Sequence, residues 1–210
     1  VQLYLASTSP ARLATLRSAG IDPVVVPSKV DESRAVDEAT ADKAGPLTPQ
    51  ETVELLARLK AEAVMVPEFD GFILGGDSVF ELDGVVYGKP HTPAAARERW
   101  HLQRGRTGTL HSGHWLIDHR GGTVQGAAGA VSSAAVSFAG DITDREIDAY
   151  IATGEPLHVA GAFTIDSLGA PFITEVDGDP HTVVGLSLST LRGLFREFNV
   201  QWHEIARWPE

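Results

Sequence analysis

Apolar residues recur along this chain at two spacings, one of strands and one of helices, and the switches between them mark out the elements. Leu3-Tyr4-Leu5-Ala6 predicts a short strand running into Ser7-Thr8-Ser9-Pro10, where Ser9 can cap a helix that begins at Pro10. That helix places Leu13 and Leu16 on one face and stops at Gly20. Pro23 to Pro27 predicts a second strand, leading into Val30-Asp31-Glu32-Ser33; residues 34–47 are polar and irregular, the pattern of a mobile loop. Thr48-Pro49-Gln50-Glu51 forms a capping box for a helix to about Val66, with Val53, Leu56 and Ala63 inside. The apolar run from Gly71 to Leu82 and its shorter partner, Val85 to Pro90, flank Asp83-Gly84, a hairpin signal. Thr92-Pro93 starts a helix ended by Gly105, and two long strands, 107–118 and 123–138, meet through Gly121-Gly122. A second capping box, Thr143 to Glu146, opens a helix closed by Gly154. Two strands bracket Ser167-Leu168-Gly169, Asp177-Gly178 turns the chain, and a last helix spans 188–198. Interleaved strands and helices imply an α/β fold with a mixed sheet, with 139–143 as a candidate boundary between lobes. No internal repeat and no low-complexity segment interrupts the pattern.

Composition narrows the function classes. No apolar run reaches the roughly 20 residues that cross a bilayer, and Val1 to Arg12 lacks the basic and apolar stretches of a signal peptide. The expected address is cytoplasmic, with no membrane partner. The chain has no cysteine, which excludes disulfides, thiolate metal sites and cysteine nucleophiles. Its 28 acidic against 17 basic residues give a formal charge of −11, which argues against a nucleic-acid partner. Any polyanionic ligand would therefore need a local basic cluster or a bound cation.

Asp77 is the most informative single residue, a carboxylate inside an apolar strand, where an ionised group must be paired, solvated or metal-bound. Gly75 and Gly76 beside it suggest room for a ligand to approach the backbone. Glu32 alone is an exposed loop acid; across neighbouring strand ends, with Asp77, it could hold Mg²⁺, which takes one or two carboxylates plus substrate oxygens and water. Arg12 lies in the first helical turn after a serine-rich loop, where Ser7 and Ser9 hydroxyls and free backbone N–H groups suit a phosphate. As a solvated helix arginine it would need no such role. Lys89 lies in Gly88-Lys89-Pro90 and fails the P-loop pattern, since proline follows it and the glycine spacing is short. It is a point charge at a strand end, expected near Asp77 across the hairpin. Lys60, taken alone, is a surface lysine. His111 and His114 lie three apart in an apparent strand, so they face opposite sides and are not expected to chelate together.

Taken in order, these segments resemble the Maf family, septum-formation-associated nucleoside triphosphate pyrophosphatases. Leu5 to Arg12 is similar to the family's LAS-x-SPRR, Val30-Asp31-Glu32 to its acidic loop, and Leu59-Lys60-Ala61 to its first lysine motif. Gly75-Gly76-Asp77-Ser78, Asp83-Gly84 and Gly88-Lys89-Pro90 resemble GADT…DG…GKP; Gly105-Arg106-Thr107 resembles SGRT. Glu155-Pro156-Leu157 with Ala160-Gly161-Ala162-Phe163 is similar to EPxDKAGAY, and Val184-Gly185-Leu186 to VGLP. The resemblance spans nearly the whole chain. It implies one domain over residues 1–210, an elongated mixed sheet flanked by helices, with two lobes sharing that sheet around a cleft, often as a homodimer. It further implies Asp77 as proton acceptor, with Glu32, Lys60, Lys89, Arg12 and the first-loop serines around a divalent metal (Mg²⁺ or Mn²⁺) and the triphosphate. Three positions implied to select the base carry Ala11, Ser78 and Asp166. Pyrimidine-preferring members typically have Arg, Thr and Gln there, and members acting on 7-methyl-GTP have Trp, Glu and Glu, so the nucleobase stays open. His158 and Val159 also replace the usual Asp-Lys pair.

The expected activity is hydrolysis of a nucleoside triphosphate to monophosphate and pyrophosphate, a house-cleaning reaction of nucleotide metabolism. The metal, held by Asp77 and Glu32, would neutralise phosphate charge, with Arg12, Lys60 and Lys89 stabilising the transition state. The rival from another class is a nucleotide-binding regulator of cell division without turnover. A closer rival is a purine-cleaning pyrophosphatase of the inosine-triphosphate type.

Overall fold

The two spacings resolve into a seven-stranded mixed sheet flanked by helices in the computed structural model, which describes residues 1–43 and 45–208. In chain order the elements are β1 (Gln2–Leu5), α1 (Pro10–Ser18), β2 (Val24–Val25), α2 (Glu32–Lys43) and α3 (Pro49–Glu62). The middle of the chain gives β3 (Gly71–Leu82), β4 (Val85–Tyr87), α4 (Pro93–Gln103), β5 (Thr107–Asp118) and β6 (Gly126–Phe138). It ends with α5 (Asp144–Ala152), β7 (Ile173–Asp177), α6 (Pro180–Val184), α7 (Leu188–Glu197) and α8 (Trp202–Ile205). The strand order is β2-β1-β3-β5-β6-β7, with β4 pairing β3. β1 runs parallel to β2 and β3, whereas β3–β4 and β6–β7 are antiparallel.

Local chemistry sets the element ends. Ser9, Thr48, Thr92 and Thr143 each accept a hydrogen bond from the third residue of the helix they cap. Both capping boxes are closed, Glu51 and Glu146 reaching back to the cap backbone. Asp83 (φ 52°) and Gly84 (φ 76°) are both left-handed, as a two-residue hairpin between twisted strands requires.

Four expectations need correction. Residues 34–47 are not a loop throughout, because α2 occupies Glu32–Lys43; it buries no residue, so no apolar period announced it. Asp31 starts it by accepting from Arg34 N at 3.1 Å. No strand lies between α5 and Ser167: two 3-10 turns, Glu155–His158 and Ala160–Ala162, occupy that segment, with Gly161 (φ 72°) and Ala162 (φ 63°) in a conformation no strand admits. Ala63 is exposed at the end of α3. The second strand shrinks to Val24–Val25.

The chain forms two compact units. The first comprises Val1–Asp77, Ser112–Ser132 and the chain from Gly185 onward; the second comprises Ser78–His111 and Ser133–Val184, so residues 139–143 lie inside the second. In the first unit β3 is buried on both faces. Phe72 and Leu74 pack with Leu3, Leu16, Leu191 and Phe195, while Ile73 packs with Ala61, Val64 and Ile117. The second unit centres on Trp100, whose Nε1 donates to Ala162 O at 2.9 Å and whose ring meets Phe138, Tyr150 and Phe172 edge-on.

Candidate active site

Two glycines decide where α3 lies in the first unit. A Cβ on Gly75 would stand 2.0 Å from Ala57 O, and one on Gly113 would stand 2.2 Å from Val53 O. The helix backbone therefore rests directly on β3 and β5 at these points, closer than any side chain would permit. Strand residues two apart share a face, so Ile73, Gly75 and Asp77 all point toward α3. On the helix, Val53, Leu56, Ala57, Lys60 and Ala61 form the buried stripe. Lys60 thereby meets Asp77, its Nζ donating to Oδ1 at 2.7 Å. The room expected beside Gly75 and Gly76 belongs to the protein itself: α3 fills one side, and a Cβ on Gly76 would stand 3.2 Å from Arg12 Nε.

Glu32, the first residue of α2, adds the second carboxylate. Lys60 Nζ lies 2.7 Å from Glu32 Oε1 as well as 2.7 Å from Asp77 Oδ1, so one ammonium grips two acids from separate segments. Arg12 is no solvated helix arginine, being only 8% exposed. Its Nε donates to Gly185 O at 2.8 Å and its Nη1 to Ser7 Oγ at 3.1 Å. Ser7 Oγ also accepts from Ser9 N at 3.2 Å, and Ser9 Oγ from Arg12 N at 3.3 Å. Both serine oxygens thus help to build the loop, so what each can offer a phosphate is its hydroxyl proton.

Burial dominates the electrostatics of this cluster. It holds the Asp77 carboxyl above the usual aspartate range, against the opposing pull of Lys60 and Arg12. It also lowers Arg12, which Asp77 and Glu32 support and which stays cationic. The result is a carboxyl of raised proton affinity flanked by two positive charges. Asp77 Oδ1 and Glu32 Oε1, each bound to the same nitrogen, can be no farther apart than twice that bond, and each carboxylate has a second oxygen. That pair fits a hard divalent cation of the Mg²⁺ type. Among the described residues no cluster of three metal-ligating side chains exists, so substrate oxygens and water would complete the shell.

The remaining sequence candidates are distributed as follows. Ala11, half-buried, is the second residue of α1 in the first unit. Ser78 (half-buried, in β3), Lys89 (exposed, just past β4) and Asp166 (exposed) belong to the second unit. The loop bearing Asp166 is tied down by Glu155, which accepts from Thr164 Oγ1 and Ser167 Oγ at 2.6 Å each and from Tyr150 Oη at 2.9 Å. His111 bonds Ser133 Oγ at 2.8 Å and Glu81 Oε2 at 3.0 Å, while His114 meets Ala130 O and Ser187 N, so the two histidines serve separate partners.

Sequence reasoning on the residues alone missed Lys60 as a buried group and Gly185 altogether. The Lys60 signal was available, since positions 53, 56, 57 and 60 fall on one helical stripe, which puts the lysine on the inward face. Gly185 gave no signal, because its carbonyl meets Arg12 across 173 residues of chain.

A relative from Leifsonia xyli subsp. xyli, named nucleoside triphosphate pyrophosphatase, is 66% identical over 98% of this chain and 96% of its own. Another of that name, from Salinispora tropica, is 50% identical over 95% of this chain and 85% of its own. Among solved structures, a HAM1 protein from Coxiella burnetii aligns with 98% of this chain and 93% of its own at 12% identity and a TM-score of 0.44. The family model of Maf-like proteins matches residues 2–198, and the chain belongs to that family.

Proposed function

We infer that this protein is a nucleoside triphosphate pyrophosphatase, an enzyme that hydrolyses the bond between the α- and β-phosphates to release a nucleoside monophosphate and pyrophosphate. The observation that carries this is the ammonium of Lys60 gripping Asp77 and Glu32 beside the buried guanidinium of Arg12. With a formal charge of −11, the protein needs local cations to hold a polyphosphate; Arg12 and Lys60 supply two, and since Asp77 and Glu32 offset them, a bound divalent cation would supply the positive excess.

Asp77 takes the proton of the attacking water. Its raised affinity for protons makes it a stronger base than an ordinary aspartate. Arg12, fixed by Gly185 and Ser7, and Lys60, fixed by two carboxylates, present charge where it accumulates on the α-phosphate and the departing pyrophosphate. The Ser7 and Ser9 hydroxyl protons would contact phosphate oxygens, and the family resemblance assigns Lys89 a further phosphate-binding charge. Asp77 and Glu32 would hold Mg²⁺ or Mn²⁺, which when bound supplies charge neutralisation at the phosphate oxygens. Ala11, Ser78 and Asp166 occupy the positions to which the family resemblance assigns selection of the base.

A panel of natural and modified nucleoside triphosphates, assayed for pyrophosphate release with Mg²⁺ and with excess EDTA, tests this. Release from at least one triphosphate, lost on chelation, is expected. Nucleotide binding without release from any member of the panel would favour the regulator instead.

A further inference from the structure

His114 is fully buried in the first unit and takes no part in the chemistry above. Both ring nitrogens are engaged by backbone: Nε2 lies 2.9 Å from Ser187 N, and Nδ1 lies 3.3 Å from Ala130 O. A backbone N–H can only donate, so Nε2 must be the acceptor. The carbonyl of Ala130 can only accept, so Nδ1 must carry the proton. The ring is thus a neutral imidazole in one tautomer, joining β5 and β6 to the segment before α7.

That segment bears on the reaction. Ser187 caps α7 through Oγ, which accepts from Thr190 N at 3.1 Å, and it is itself fully buried. Two residues upstream, Gly185 (φ 111°) adopts a backbone conformation that side chains rarely tolerate, and its carbonyl accepts from Arg12 Nε at 2.8 Å. Gly185-Leu186-Ser187 is therefore held at one end by the arginine and at the other by the histidine, with Leu186 buried between them.

We propose that His114 is a positioning residue for the pyrophosphatase reaction: by accepting from Ser187 N it fixes the 185–187 segment, and so the carbonyl that orients the Arg12 guanidinium toward the triphosphate. This rests on the function inferred above. A buried histidine that merely filled space or satisfied one N–H would contribute to stability without any particular tie to Arg12. Only a residue acting through Arg12 loses its kinetic effect when the guanidinium is gone.

The test is a double-mutant cycle on the full chain, reading kcat and KM for pyrophosphate release, with thermal midpoints measured alongside. His114→Met removes the acceptor at similar bulk, and His114→Gln retains one. In the wild-type background H114M should lower kcat/KM by about 10- to 100-fold, the cost of misplacing a charged group by a fraction of an ångström to 1 Å. H114Q should recover most of that loss. With Arg12→Met already present, adding H114M should cost less than about 2-fold, since residues coupled through one backbone segment are non-additive. An equal loss in both backgrounds, or no loss in either, overturns the proposal. A second measurement needs neither histidine variant to fold: ¹⁵N spectra of the unsubstituted ring should show the Nδ1–H neutral tautomer, and R12M should shift that ring and the Ser187 amide. A ring protonated on Nε2, or resonances indifferent to R12M, also overturns it. If no triphosphate is turned over at all, the inferred function fails, and the spectra still decide the Arg12–His114 linkage by themselves.

Discussion

Gly75→Ala should disable the site without touching any group that carries charge. The added Cβ would lie 2.0 Å from Ala57 O and 2.8 Å from Ala61 N, both backbone atoms of α3. Carbon and oxygen need well over 3 Å, so the helix must retreat by more than about 1 Å or the strand must bend. Overpacking of this kind typically costs about 1–3 kcal/mol of stability, roughly several degrees in thermal midpoint for a chain of this size. The same retreat carries Lys60 away from Asp77 and Glu32, which it now holds at 2.7 Å each. A displacement of about 1 Å in a positioned group can cost 10²-fold in rate, so kcat/KM for pyrophosphate release should fall by about 10- to 100-fold. Gly76→Ala is the internal comparison. Its nearest neighbour is Arg12 Nε at 3.2 Å, a shortfall of only a few tenths of an ångström, so its loss of stability should be smaller. The reasoning is refuted if G75A keeps both its midpoint and its turnover.

Lys60→Met should lower kcat by about 10²–10³-fold, the range for removing one pre-placed stabiliser of transition-state charge. It should also move the acid limb of the kcat/KM–pH profile upward, because Asp77 loses the nearest cation opposing its protonation; an acid limb that stays in place argues against Asp77 as the base. Asp77→Asn should raise the thermal midpoint at neutral pH. The native carboxyl binds its proton more tightly folded than unfolded, so its stabilising contribution, complete below the ordinary aspartate pKa, is lost as pH rises through the folded value. The gap between D77N and wild type should therefore close at acid pH, as calorimetry across pH can check. Glu51 behaves in the opposite sense: hydrogen bonds from Lys43 and Thr48 hold its carboxyl down at about 2. The contribution of Glu51 to the cap of α3, complete above the ordinary glutamate range, should be lost progressively as pH falls toward that value, read as amide exchange at the start of the helix.

Much of the fold was legible because it rests on local chemistry. Caps at Ser9, Thr48, Thr92 and Thr143 and the left-handed pair Asp83-Gly84 are decided within a few residues, and the structure has them where the pattern put them. α2 escaped because its signal is electrostatic rather than apolar: Asp31 caps it, Arg34 pairs with Glu38 at 2.7 Å, and nothing in it is buried. The strand expected before Ser167 failed because Gly161 and Ala162 take positive φ, which apolar composition does not report. In the site, Asp77 stood out as a carboxylate in an apolar strand, yet the glycines beside it were misread as space for a ligand. They admit α3 and Arg12 instead. Lys60 and Arg12 look like surface residues one at a time, and their burial follows from the faces of α3 and α1. One contact that orients Arg12, to the Gly185 carbonyl, joins residues 173 apart in sequence, and no spacing rule reaches across that distance.

Asp77, placed between Lys60 and Arg12, is proposed to remove the proton from the attacking water. Single-turnover pyrophosphate release by Asp77→Asn, measured beside equilibrium binding of the same triphosphate, tests it most directly. The account predicts that release falls by at least about 10³-fold while the nucleotide still binds. Release by D77N at close to the wild-type rate would contradict it.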